Sequence, residues 1–217
     1  MDRDIIVNAA IKRSAIKLFD IEKQITDDDF KALLEVARYS PSSFGLEPWK
    51  ILVVNNKALR EKISIHASGA QRQLSTASHF VIFSVTTDLE ATSKYFKHIS
   101  RDVKKLSDEA YQTFISTFSA FQTEKQNLTD TRKRTDWAGK QAYIALGNMM
   151  LAASLMGIDS CPIEGFIPAS VEAVLADEGL LDLSSEHISV MAAFGYRQSD
   201  AGHEKARRSF EEIVRFV

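Results

Sequence analysis

Apolar residues first recur at helical spacing near the start of the chain, where Ile5, Ile6, Ala9 and Ala10 predict a helix over 4–13. Thr26 and Asp29 have the spacing of a capping box that opens a second helix. Its core stripe is Phe30, Leu33, Leu34 and Ala37, and Pro41 prevents much continuation. Ile51-Leu52-Val53-Val54 reads as a short strand and 57–65 as a short helix. Phe80 to Val85 is a second strand, whose unbroken apolarity implies burial on both faces. From 88 to 126 the pattern is polar and helical, with a stripe of Tyr111, Phe114, Ile115, Phe118 and Phe121. Residues 136–156 predict a long helix buried on nearly all sides, in which Gly147 permits a close crossing. Its most apolar part, Ala142 to Met156, is too short and too broken by Asn148 to span a bilayer. A strand follows at 158–162, a helix at 168–177 and a strand at 187–194, then a basic tail ending in Phe210, Ile213, Val214 and Val217. Helices with four or five interspersed strands make this an α+β chain. No repeat or linker divides it, so residues 1–217 read as a single domain.

Composition narrows the partners. The 45% hydrophobic and 26% charged content is that of a globular chain. A formal charge of -2 supplies no general attraction to nucleic acid. A single cysteine, Cys161, excludes an internal disulfide and suits a reducing compartment, while the charged start Met1-Asp2-Arg3-Asp4 does not read as a signal peptide. A cytoplasmic protein without membrane attachment is expected. His66, His79, His98, His187 and His203 lack metal-ligand spacing, so no metal is expected. No dinucleotide fingerprint, Walker sequence or nucleophile elbow is present, so a nucleotide coenzyme would have to bind by other means.

Four segments break the pattern of helix and strand. Arg13 and Lys17 follow the end of the first helix. They could converge on an anion, although cations there ordinarily complement a helix C-terminus or face solvent. Ser40 to Trp49, with two prolines, a glycine and three serines, could cradle a planar polar ring or simply connect helix to strand. In Cys161-Pro162-Ile163-Glu164-Gly165-Phe166 the glycine lets a backbone N–H approach a ligand, and an ordinary turn is the alternative. Cys161 itself reads as a buried, inert thiol. Lys205-Ala206-Arg207-Arg208 is a solvated charge run or, in extended backbone, a phosphate clamp.

Together and in this order these segments resemble the FMN-dependent nitroreductase family, above all the bacterial oxygen-insensitive enzymes, over residues 4 to 208. Arg13 to Phe19 correspond to the family's opening Arg-x-Ser-x-[Arg/Lys]-x-Phe pattern, and Ser40 to Trp49 to its Ser-Pro-Ser-Ser…Gln-Pro-Trp loop. Gln71, Gln73, Ala77, Ser78 and His79 are similar to the segment before its second strand. Trp137, Lys140 and Gln141 resemble the start of its central helix. Pro162-Ile163-Glu164-Gly165 matches its turn outright, and Gly195-Tyr196 with Lys205 and Arg207 its closing strand and tail.

The resemblance implies a central mixed or antiparallel sheet flanked by helices, in an intertwined homodimer with FMN at the subunit interface. Arg13, Lys205 and Arg207 would hold the FMN phosphate. Ser14 and Lys17 would contact the flavin end or ribityl chain, and Ala15, also in the cofactor set, stands where a serine hydroxyl near the phosphate is common. Pro41, Ser42 and Ser43 would come from the other subunit. Gln71 joins the cofactor set, and Gln73 would face the pyrimidine edge, where some members have lysine. Pro162, Ile163 and Glu164 would line a ring face, with the Gly165 N–H directed at flavin N5. Ala70 replaces a common asparagine, and Gly45 and Glu47 a common asparagine and glutamine. Lys17 and Gly165 would act in catalysis, and Phe114, Phe118 and Phe121 would form a lid over the ring unless they serve packing instead. The implied activity is ping-pong hydride transfer from NADH or NADPH, through FMN, to a nitroaromatic, quinone or flavin. The rivals are a non-catalytic flavin-binding protein, a divergent flavin-dependent reaction on the same scaffold, and a structural helical dimer.

Overall fold

A computed structural model describes residues 2–199 and 205–217, so His203 lies outside the described residues. The chain runs α1 (Arg3–Lys12), α2 (Asp27–Arg38), β1 (Trp49–Val53), α3 (Lys57–Ser64), α4 (Gln71–Thr76), β2 (His79–Thr86) and α5 (Lys94–Lys97). It continues through α6 (Asp108–Ala120), α7 (Thr131–Leu155), β3 (Asp159–Ile163), α8 (Pro168–Asp177), β4 (Glu186–Gly195) and α9 (Phe210–Ile213).

The four strands form one sheet in the order β1-β2-β4-β3, and every pair in it is antiparallel. Helices cover both faces. Val81, Phe83, Val85, Val190, Ala192 and Phe194 pack with α2 and α7 on one face. Phe80, Ile82, Ile188, Met191 and Ala193 pack with α3, α4 and α8 on the other. The side-chain period of two thus divides one apolar strand between two cores. This is the reason β2 shows no alternation in its sequence.

Local chemistry accounts for the boundaries. Thr26 accepts from the Asp29 N–H at 3.1 Å, as a helix cap requires. Asp29 returns the contact to the Thr26 hydroxyl (2.8 Å) rather than to its backbone, so half of the expected capping box is replaced by a side-chain bond. α7 starts at Thr131, ahead of the expected 136, because Asp130 caps it by accepting from the Lys133 N–H at 2.9 Å. Arg132, Lys133 and Arg134 hide that first turn from a hydrophobic pattern. The expected helical stretch 88–126 is interrupted by π-helical turns at His98–Val103 and Phe121–Lys125. α4 has no apolar period long enough to read.

Burial of α7 differs from expectation. Trp137, Ala138, Ala142, Ala145, Leu146 and Met149 are buried, but Tyr143 and Ile144 are exposed, and a Cβ on Gly147 would meet nothing within 4 Å. One face of α7 is therefore uncovered by its own chain. Among the described residues, no helix is long and apolar enough to cross a membrane.

Candidate functional site

The site forms where the segment after α1 runs beside β3. Arg13 ends the helix, its N–H donating to the Ala9 carbonyl at 3.0 Å. The chain then extends, Ala15 bridging to Ser160 in parallel and the Ile16 N–H donating to the Ser160 carbonyl at 3.2 Å. Buried Ile16 and Phe19 anchor this segment in the second core, while Ala15 and Lys17 face outward.

The tail returns to the same place. Lys205 Nζ donates to the Ala10 carbonyl at 2.7 Å. Burial, then the positive charges of Arg13 and Arg207, push the Lys205 ammonium below its ordinary pKa. Arg13, Lys205 and Arg207 are thus gathered, and no carboxylate among the described residues pairs with any of them. The Arg13 Nη1 atom is buried with no hydrogen-bond partner. Such a donor costs about 1–3 kcal/mol or more if left unanswered, so the cluster is suited to an external anion.

Beyond this cation group lies the turn after β3. The Gly69 N–H donates to the Gly165 carbonyl at 2.7 Å, and the two backbones are so close that a Cβ on Gly165 would stand 2.8 Å from Gly69 Cα. Only glycine fits at either position. The Gly165 N–H has no acceptor among the described residues. Pro162 is half-buried, Ile163 buried and Glu164 exposed, and the Glu164 carboxylate accepts from the Tyr143 hydroxyl. Burial first, then Glu164, pushes the Tyr143 phenol well above its ordinary pKa, so it stays a donor. Between the cations and this turn, Lys17 and Gln73 both reach the sulfur of Cys161.

Of the remaining sequence-predicted residues, Gln73 and Ser14 join this group while Gln71 and the Pro41–Ser43 loop lie elsewhere. Gln73 is buried, with its amide on the Gly69 carbonyl at 3.2 Å, whereas Gln71 lines a separate groove with Ile21, Arg60 and His79. Ser14 is half-buried beside Arg13. Pro41, Ser42 and Ser43 follow Ser40, whose hydroxyl accepts from Asn148 Nδ2 at 2.9 Å, and the Ser43 N–H donates to Gln141 Oε1 at 2.9 Å. α1 docks on α7 through Ser154 Oγ to the Ala9 carbonyl at 2.8 Å. At a rise of 1.5 Å per residue, Ser154 is about 20 Å along the helix from Gln141 and about 9 Å from Asn148.

Phe118 is wholly enclosed in the first core, while Phe114 and Phe121 are half-buried. All three pack around Phe44, with centroid distances of 5.9, 5.1 and 4.8 Å for Phe114, Phe118 and Phe121. Phe44 has φ of 58°, in the left-handed region that a bulky residue avoids. Sequence reasoning missed Phe44, Gly69, Tyr143 and the contacts of Cys161, since none has a local signature. Among the described residues, no group of His, Cys, Asp or Glu is placed to hold a metal ion.

A four-stranded antiparallel sheet between helical layers, with a cation cluster that no carboxylate of the described residues pairs and a paired-glycine turn after β3, defines an α+β protein. The sequence model of the Nitroreductase family matches residues 10–196, and the chain belongs to that family of oxidoreductases. It is 46% identical over 215 residues to Bacillus subtilis YfkO, provisionally named an NAD(P)H nitroreductase, spanning 98% of this chain and 97% of YfkO. The fold is similar to a nitroreductase-type structure of Bacillus subtilis ydfN, with TM-score 0.82, 19% identity and all of both chains covered. It is also similar to a nitroreductase-type protein of Exiguobacterium sibiricum solved in complex with FMN, with TM-score 0.75, 19% identity, and 100% of this chain and 98% of that one covered.

Proposed function

We propose that this protein is an FMN-dependent NAD(P)H oxidoreductase that reduces nitroaromatics, quinones or flavins. The observation that carries the reading is the buried Arg13 Nη1, without a partner among the described residues, in a group of cations that no carboxylate of those residues answers. Arg13, Lys205 and Arg207 would hold a phosphate, each bond to it being charge-assisted. Ala15 would lie near that phosphate, Ser14 and Lys17 would contact the flavin end or ribityl chain, and Gln73 would meet a polar ring edge. Pro162, Ile163 and Glu164 would form a wall, and the Gly165 N–H would donate to a ring nitrogen. When bound, FMN supplies two-electron chemistry, taking hydride from a nicotinamide coenzyme and giving it to the acceptor. Lys17 would offset negative charge at the ring edge, an electrostatic contribution. No side chain need act as acid or base in the hydride transfer itself.

A second copy of the chain completes this reading. Pro41, Ser42 and Ser43, whose loop rests on α7 at Gln141 and Asn148 while α1 docks at Ser154, would reach the cofactor from the second copy. Ile144 on α7, Ile5, Val7 and Ile11 on α1, and Phe210, Ile213, Phe216 and Val217 on the tail are exposed apolar surface. Apolar surface of this extent on both sides of a site suits an interface. Sedimentation should find a dimer, and a monomer that binds FMN tightly would remove the role of the partner's loop.

The primary test is the visible spectrum of the purified protein, followed by anaerobic addition of NADPH or NADH. Flavin bands at roughly 370 and 450 nm that bleach promptly are expected. Parallel double-reciprocal plots should follow, since coenzyme and acceptor use one place in turn. A protein that stays colourless after incubation with FMN would overturn the reading, and intersecting lines would remove the ping-pong scheme.

A further inference from the structure

Cys161 sits in β3 with no exposed surface. Its neighbours in the second core are apolar, including Ile16, Leu74, Ala70 and Ile163. A thiol placed there for packing alone would have no polar contacts, yet this one has three. Lys17 Nζ lies 3.6 Å from Cys161 Sγ, and Gln73 Nε2 lies 3.5 Å from it. The thiol itself donates to the Pro162 carbonyl at 3.5 Å. Its one hydrogen is thereby directed at the turn that carries Gly165, and its lone pairs are left to the two donors.

The acceptor is a weak one, and that has a consequence. Lys17 makes no ion pair among the described residues, and sulfur is its only protein acceptor there. A carboxylate at position 161 would hold the ammonium more tightly but cancel its charge. A methyl group would leave Lys17 without an acceptor and Gln73 with the Gly69 carbonyl alone. A thiol fixes their direction and leaves the charge available to a ligand with stronger acceptors.

We propose that Cys161 is a positioning residue of the flavin site, holding Lys17 and Gln73 toward the same ring edge without neutralising Lys17. This rests on the FMN reading above. Reduced flavin carries more negative charge at that edge than oxidised flavin, so losing the anchor should weaken binding of reduced FMN more than that of oxidised FMN. The test compares the wild type, Cys161→Val and Cys161→Ser by FMN titration and by the midpoint potential of the bound flavin. In Cys161→Val the preference for reduced over oxidised FMN should fall about tenfold, equivalent to a potential about 30 mV lower for a two-electron couple. Serine keeps both a donor and an acceptor and should restore the wild-type potential to within about twofold in that preference. Lys17→Met should shift the potential in the same direction, and adding Cys161→Val to Lys17→Met should shift it by less than Cys161→Val does alone, because the part of its effect carried by Lys17 is already lost. A Cys161→Val protein with wild-type affinity and potential would overturn the proposal, as would additive shifts in the double variant. If Cys161→Val does not fold, Cys161→Ala carries the same comparison. A wild type that binds no FMN would instead defeat the functional reading beneath it.

Discussion

Gly165→Ala is the sharpest probe of the turn, because the clash it creates is between two backbones. The new Cβ would stand 2.8 Å from Gly69 Cα and 3.2 Å from Gly69 N. Carbon atoms are at ease at about 3.5 Å or more, so the two strands of chain must part by roughly 0.7 Å. Neither contact is the end of a flexible side chain, so no rotamer change relieves it. The 2.7 Å bond from the Gly69 N–H to the Gly165 carbonyl would stretch with that movement. Overpacking costs about 1–3 kcal/mol and a weakened hydrogen bond about 0.5–1.5 kcal/mol, or roughly 2–4 kcal/mol together. At about 2–4 °C per kcal/mol for a chain of this size, the melting point should fall by about 4–15 °C. If the turn instead relaxes in the free protein, the same cost reappears on binding and FMN affinity drops by tenfold for each 1.4 kcal/mol. Thermal melts of the cofactor-free protein at fixed concentration, with FMN fluorescence titrations, measure both routes. Gly69→Ala, which makes the same contact from the other side, should behave alike. Wild-type values for both quantities in Gly165→Ala would refute the claim that the glycine pair sets this geometry.

Arg60 is buried, and its guanidinium donates to the carbonyls of Val54, Ala77 and Ser78 at 2.6, 2.7 and 3.2 Å. Arg60→Met strands those three acceptors at about 1–3 kcal/mol each, so urea unfolding should lose roughly 3–9 kcal/mol, and an unchanged midpoint would contradict this. His79 stacks on Phe30 at 3.8 Å, and burial, then Arg60, hold its imidazole below the usual 6.5, with Asp27 opposing. Below that pH the unfolded chain takes up a proton that the fold resists, so stability falls on acidification; His79→Gln should flatten this acid limb, and parallel limbs would exclude His79 as its source. Arg13→Ala should weaken FMN binding by roughly 10- to 100-fold, the worth of about 1.5–3 kcal/mol for a bond to a charged group. Affinity for riboflavin, which lacks the phosphate, should be unaffected; equal losses for both ligands would place Arg13 away from the phosphate.

Much of the fold was legible because its signals are local. The Phe30, Leu33, Leu34, Ala37 stripe and the uninterrupted Phe80–Val85 run each encode one element and how it is buried. π-helical turns around 98 and 121 carry no such code, nor does a helix as short as α4. The site was legible in part for the same reason. Arg13, Gly165 and Lys205 stand in motifs that can be read in order, but order says nothing of how near they lie. Cys161 shows the limit most clearly, since an isolated buried thiol and one touched by Lys17 and Gln73 have identical sequence signatures.

By itself, then, the sequence determined the element types, the apolar strands, the glycine at the turn and the supply of cations, because periodicity, caps and residue chemistry act over a few neighbours. Only tertiary structure decided that the tail returns Lys205 to the end of α1, that Gly69 and Gly165 meet backbone to backbone, and that Lys17 and Gln73 share one sulfur. Those contacts join residues far apart in the chain. Their closeness follows from how the sheet and α7 pack, a property of the whole core that no short window of residues carries.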